Sequence, residues 1–160
     1  MTWAAIIFSF FSLTLAVADP RPQQVSLQTP DHVSLGKKPK RVQIDILVAK
    51  GFHIQANPAS REGLIPTEVQ IEPSPLFQFS AFKYPKGNPL RLPQGVGEIL
   101  TYSGNFPVSF ELSRQQAAVQ PETPKEKKLV KGQVHYQACD DRVCMRPSSI
   151  PFEFWVESPK

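Results

Sequence analysis

The 160-residue sequence predicts an all-β chain folded as one antiparallel sandwich. Three observations carry that expectation. Apolar and polar residues alternate over short stretches, the two-residue period of half-buried strands. Turn-forming clusters interrupt those stretches throughout, drawing on 17 Pro and 8 Gly. After residue 18 no window keeps a long helical period free of proline or β-branched clusters.

Trp3 to Ala18 is almost wholly apolar, interrupted only by Ser9, Ser12 and Thr14, and ends in Ala16-Val17-Ala18 before Asp19-Pro20. Small residues at the first and third places before a polar break fit a signal-peptidase site, although no Lys or Arg precedes the run. About 16 residues is short for a ~30 Å hydrocarbon core. Residues 1–18 are therefore expected to be an export signal, and no Cys follows them to take a lipid. Removing 18 of 160 residues leaves about 142, enough for one core. Residues 19–32 are expected to be irregular and 33–160 to form the domain, with one edge strand near Val25–Leu27 or Val33–Leu35.

Within the domain, Val42, Ile44, Ile46 and Val48 take one face of a strand, with Gln43 and Asp45 on the other. Phe52, Ile54 and Ala56 continue after Gly51, beyond a bulge or bend. Further strands are expected at Thr67–Glu72, Leu76–Lys83, Glu98–Tyr102, Pro107–Ser113, Leu129–Cys139 and Ile150–Glu157. Asn57-Pro58, Pro73-Ser74-Pro75, Pro85 to Pro89 and Ser103-Gly104-Asn105 supply the turns. Seven or eight short strands at this spacing make the sandwich immunoglobulin-like in architecture, without the Cys…Trp…Cys spacing of antibody domains. Gln115–Lys128 is expected to be a long solvated loop.

The net charge is +4, with the bases scattered except over Lys125–Lys131. That pattern fits a solvated surface, and no nucleic-acid partner is expected. The expected state is a monomer. No Ser-His-Asp set, H-E-x-x-H motif or phosphate-binding glycine loop is present, so hydrolase and nucleotide chemistry have no support. His135, Cys139, Cys144 and Met145 fall short of a closed metal site, and no metal or other cofactor is expected. His53 reads as a surface or edge histidine and His32 lies in the irregular segment.

The chemistry is expected in Tyr136-Gln137-Ala138-Cys139-Asp140-Asp141-Arg142-Val143-Cys144-Met145-Arg146-Pro147. Four residues between the cysteines suit a hairpin loop. Opposed positions on antiparallel strands lie about 4.5–5.5 Å apart between Cα atoms, within reach of a disulfide. In an exported chain the only two cysteines would pair. Closing about six residues restricts the unfolded chain by roughly 2 kcal/mol, against about 4 kcal/mol for a loop of about 60. This is a poor place for a purely structural bond, yet composition alone leaves structural and working roles both open. Asp140 and Asp141 follow Cys139 and disfavour its thiolate, whereas Arg142 and Arg146 flank Cys144 and favour the attacking form there. Cys144 is thus expected to exchange with partners and Cys139 to resolve.

The run from Tyr136 to Pro147 resembles the active-site hairpin of the N-terminal periplasmic domain of the thiol:disulfide interchange protein DsbD, the disulfide bond corrector family. Gly51 to Pro58, Gly63 to Thr67 and Lys83 to Gly87 agree more loosely, so the likeness spans about residues 33–157. The resemblance implies an immunoglobulin-like periplasmic domain, or a secreted one, whose disulfide relays electrons between thioredoxin-like partners rather than a stand-alone enzyme. It implies donors fed by a membrane transporter, recipients that include disulfide isomerases and cytochrome c maturation factors, and a cap over the sulfurs. By position Phe82 and Tyr84 are the candidate cap. The chain ends at Lys160, so any membrane electron source is expected to be a separate protein. The competing expectation is a binding or assembly module that uses the cysteines only as a clip.

Overall fold

The computed structural model describes residues 23–92, 97–115 and 127–157. The expected export signal at 1–18 and most of the expected Gln115–Lys128 loop lie outside the described residues.

Twelve strands are found among the described residues, and no helix. They are β1 (Val25–Gln28), β2 (His32–Ser34), β3 (Lys40–Val48), β4 (His53–Gln55), β5 (Glu68–Ile71) and β6 (Phe77–Phe79). The second half supplies β7 (Asn88–Leu92), β8 (Gly97–Tyr102), β9 (Asn105–Arg114), β10 (Lys127–Tyr136), β11 (Ala138–Cys139) and β12 (Ser148–Glu157). Three four-stranded sheets result, in the orders β1-β3-β9-β6, β2-β12-β10-β5 and β11-β4-β8-β7.

Alternation decides which faces are buried. Val42, Ile44, Ile46 and Val48 of β3 point inward, as do Val108, Phe110 and Leu112 of β9 and Phe152, Phe154 and Val156 of β12. Phe110 meets Phe154 across the sandwich at 6.4 Å between ring centroids, and Phe79 and Phe82 pack edge-on against Phe110. Gly132 of β10 lies opposite Phe152, and a side chain there would collide with that ring and with the Gln70 carbonyl.

Proline is placed where no ladder bond is lost. Pro89 lies in β7, an edge strand. Pro107 pairs with Asp45 on one side, while β6 reaches β9 only at Leu112–Arg114. Pro151 pairs with Gln133, and β2 reaches β12 only from Trp155 onward.

The bend expected at Gly51 is a tight turn: Phe52 N–H donates to the Ala49 carbonyl at 3.1 Å, and Gly51 takes φ 85°. A positive φ at the third position of such a turn favours glycine. The turn carries the chain from β3 into β4, in a different sheet.

Five elements differ from expectation. Both N-terminal candidates are strands: β1 runs antiparallel to β3 within the segment expected to be irregular, and β2 runs parallel to β12. Their alternation is only three or four residues long, too little to read without the partner strand. The expected Leu76–Lys83 strand narrows to Phe77–Phe79, after which Lys83 alone rejoins β9 by a bridge to Ser109. β7 begins inside the turn expected at Pro85–Pro89, since an edge position tolerates its proline. The expected Leu129–Cys139 strand breaks at Gln137, and its last two residues join another sheet.

Candidate functional site

That break builds the site. β10 stays paired with β12 up to Tyr136, opposite Ser148. Beyond Gln137, β11 pairs with β4 instead, placing Ala138 opposite Ile54 and Cys139 opposite His53. The chain then turns over four residues and returns, with Cys144 opposite Cys139. Met145 N–H donates to the Ala138 carbonyl at 2.8 Å and Asp140 N–H to the Val143 carbonyl at 3.0 Å. These bonds flank the cysteines without joining them, the non-hydrogen-bonded type of antiparallel pair, in which side chains approach most closely. Their Cα atoms are 3.9 Å apart, closer than the expected separation of about 4.5–5.5 Å, and the sulfurs are bonded at 2.03 Å.

The two sulfurs sit in different surroundings. Cys139 is 2 % exposed and Cys144 is exposed. Val143, beside Cys144, is 57 % exposed, which puts an apolar side chain at the tip of the turn.

Asp140 holds the turn. Its Oδ1 accepts from the backbone N–H of Arg142 at 2.7 Å and of Val143 at 2.8 Å. Those two bonds hold its carboxyl below the ordinary carboxylate value, Val143 most, with the Arg142 and His53 charges adding to the effect. Gln137 closes the base of the hairpin, its Nε2 donating to the Met145 carbonyl at 3.0 Å. Tyr136 is buried at the end of β10, and burial raises its hydroxyl pKa. Asp141, Arg142 and Arg146 are exposed. Arg142 lies in the turn itself, not on a strand where it would share a face with Cys144.

A family model for the N-terminal region of the thiol:disulfide interchange protein DsbD matches residues 23–154. The chain belongs to the DsbD N-terminal domain family. Its antiparallel sandwich is the immunoglobulin-like fold expected from the strand pattern. No curated protein matches the sequence. The N-terminal periplasmic domain of ScsB from Proteus mirabilis shares the fold, at TM-score 0.59 and 12 % identity over 86 % of this chain; this chain spans 49 % of that one. The DsbD N-terminal domain of Neisseria meningitidis, solved in the reduced form, matches at TM-score 0.45 and 17 % identity over 71 % of this chain and 74 % of that one.

The DsbD-like segment carrying Phe82 and Tyr84 is fixed to the framework residue by residue. Phe82 packs against Phe110 at 5.2 Å. Lys83 exchanges backbone bonds with Ser109 at 2.7 and 3.1 Å. The Tyr84 hydroxyl accepts from Val69 N–H at 2.8 Å, and the Pro85 carbonyl accepts from the Tyr102 hydroxyl at 2.9 Å. Burial raises the hydroxyl pKa of both tyrosines.

His135 belongs to a different surface: its ring bonds Gln70 at 3.0 Å and Ser149 at 2.7 Å, away from the sheet that Cys139 joins. His53, read from sequence as a surface or edge histidine, is half-buried and lies opposite Cys139 in the strand register. Its signal was available in combination: Gly51–Pro58 and Tyr136–Pro147, two of the segments that resemble the family, are the two that pair.

Proposed function

We propose that this protein is an exported, periplasmic thiol–disulfide exchange domain that relays electrons through the Cys139–Cys144 bond between thioredoxin-like partners. One observation carries the reading. The disulfide closes a turn of four residues and joins a buried residue, Cys139, to an exposed one, Cys144. That difference favours attack by a visiting thiolate at the Cys144 end of the bond. The family membership and the periplasmic ScsB domain of the same fold support the assignment and the compartment.

The relay follows from that asymmetry. A partner thiolate attacks Cys144 Sγ, the Cys139–Cys144 bond breaks, and its electron pair goes to Cys139 as thiolate, which takes a proton. The partner's second thiolate attacks the mixed disulfide and releases Cys144. The partner dithiol is oxidised by two electrons, and this chain holds two thiols. In the reverse direction the Cys144 thiolate opens a recipient's disulfide, and Cys139 displaces the recipient's thiol to restore the intramolecular bond. Cys144 is the exchanging sulfur, supported by its exposure; Cys139 resolves, supported by its burial. Tyr136, Gln137 and Asp140 shape the hairpin, while Asp141, Arg142 and Arg146 set the charge a partner meets. An electron source would be a membrane transporter acting through a thioredoxin-like domain, and cytochrome c maturation factors are one recipient class.

Incubation with a thioredoxin-like partner whose resolving cysteine is removed and whose remaining cysteine is carried as a thionitrobenzoate mixed disulfide tests the assignment. Cys139→Ser should accumulate a mixed disulfide through Cys144, and Cys144→Ser should accumulate none. Adducts formed only through Cys139 would reverse the roles. The reduction potential should lie above about −300 mV, the region below which structural disulfides fall. A lower value, with no exchange, would assign the bond to a structural clip in a binding module.

For the cap we retain Phe82 and Tyr84 by position alone, since the Phe82 ring packs on Phe110 and the Tyr84 hydroxyl accepts from Val69 N–H. Tyr84→Ala should speed reduction of the disulfide by a small thiol; an unchanged rate removes Tyr84 from that role.

A further inference from the structure

The relay leaves one problem unsolved. Cys139 must gain a proton when the disulfide opens and lose it when the disulfide closes, yet it is 2 % exposed. A sulfur in apolar surroundings holds a negative charge poorly, and water cannot readily reach it. A group beside it has to handle the proton.

The sheet provides that group. Antiparallel residues directly opposite one another send their side chains to the same face. Cys139 is opposite Cys144 on one side and opposite His53 on the other. His53, Cys139 and Cys144 therefore form a row across three adjacent segments, on one face, with Cys139 in the middle. We propose that His53 is the proton partner of Cys139, taking its proton as the disulfide closes and returning it as the disulfide opens. The inference rests on the exchange reading above and extends it to a residue outside the hairpin.

The charges around His53 are consistent with that role. The turn after β11 brings Asp141 and Asp140 towards the ring, and Arg142 acts in turn on Asp140. From β8 the paired residue is Tyr102, opposite Ile54, so its side chain lies on the other face. Lys50, in the turn leading into β4, is exposed. Burial holds the imidazole below its ordinary value of 6.5, with Asp141 and then Asp140 pulling it back up. At neutral pH the ring is uncharged and ready to accept a proton, the state a base needs.

The chemistry is a general-base step. With Cys144 joined to a partner sulfur, Cys139 Sγ–H gives its proton to the neutral ring. The Cys139 sulfur then attacks Cys144 Sγ, the Cys144–partner bond breaks, and its electron pair leaves with the partner thiolate. His53 afterwards returns the proton to solvent or to the departing thiolate.

The reduced full chain mixed with dithiobis(nitrobenzoate) separates the two events. Attack by Cys144 releases the first thionitrobenzoate, and closure by Cys139 releases the second. His53→Gln should slow the second release on the order of 10²-fold, the lower end of what a positioned base contributes. The first release should keep its rate, and the pH profile of the second should lose its ionisation in the imidazole range. Equal second-phase rates and profiles in the two proteins would overturn the role of His53 while leaving exchange by the cysteines intact. A wild-type chain that never makes the second release would overturn the exchange reading, and this inference with it. A second measurement needs no variant at all: proton titration of the His53 ring by NMR in the oxidised and the reduced chain. A midpoint that moves between redox states supports the pairing, and an identical midpoint refutes it.

Discussion

The Asp140 carboxylate accepts two backbone N–H bonds across the turn, and this decides how the hairpin responds to acid. Its pKa is lowered, so its contribution is present above the ordinary carboxylate range and disappears as pH falls through the lowered folded value. On acidification the amide resonances of Arg142 and Val143 should therefore hold until below about pH 3.9 and then shift together. A shared midpoint above that value would rule out the paired bonds. The sequence presents Asp140 only as a negative charge next to Cys139. Its carboxylate instead braces the turn, a use that depends on backbone N–H groups no motif displays. His53 escaped notice for a related reason, because its significance lies in a register between segments over 80 positions apart.

Among the elements, β3, β9 and β12 were legible because each alternates over nine or ten residues with large apolar side chains on a single face. β1, β2 and β7 were not, since three to five residues carry too little period and their identity comes from the strand alongside. The hairpin could be read from spacing; the change of sheet at Gln137 could not, because Leu129–Cys139 keeps an unbroken strand-like composition. β10 and β12 form the longest ladder, and a side chain at Gly132 would run into the Phe152 ring and the Gln70 carbonyl. Gly132→Ala should cost about 1–3 kcal/mol, the usual range for overpacking a filled site. The denaturant midpoint should fall with an unchanged m-value, and a variant as stable as the parent would show that the ring has room to move.

Taken as a whole, the molecule does not depend on its disulfide for its shape. The apolar layer from Val25 through Ile44, Phe110, Val134 and Phe154 lies between the sheets, whereas the bond closes only a short turn at the edge of one of them. Reduction should lower the unfolding free energy by roughly 2 kcal/mol out of the ~5–15 kcal/mol typical of a domain. Far-ultraviolet circular dichroism and denaturant midpoints with and without reductant will measure this. Collapse on reduction would contradict a carrier that must stay folded in both redox states.

The parallel contact between β2 and β12 has a consequence for how the chain comes to be folded. Residues 32–34 lie against 155–157, and Leu35 N–H bonds the Glu157 carbonyl at 2.9 Å, so early and late residues clasp each other. A nascent polypeptide cannot fasten that clasp before its last strand has emerged. Until then β2 has no strand to lie against, so completing this sheet is a late step in folding.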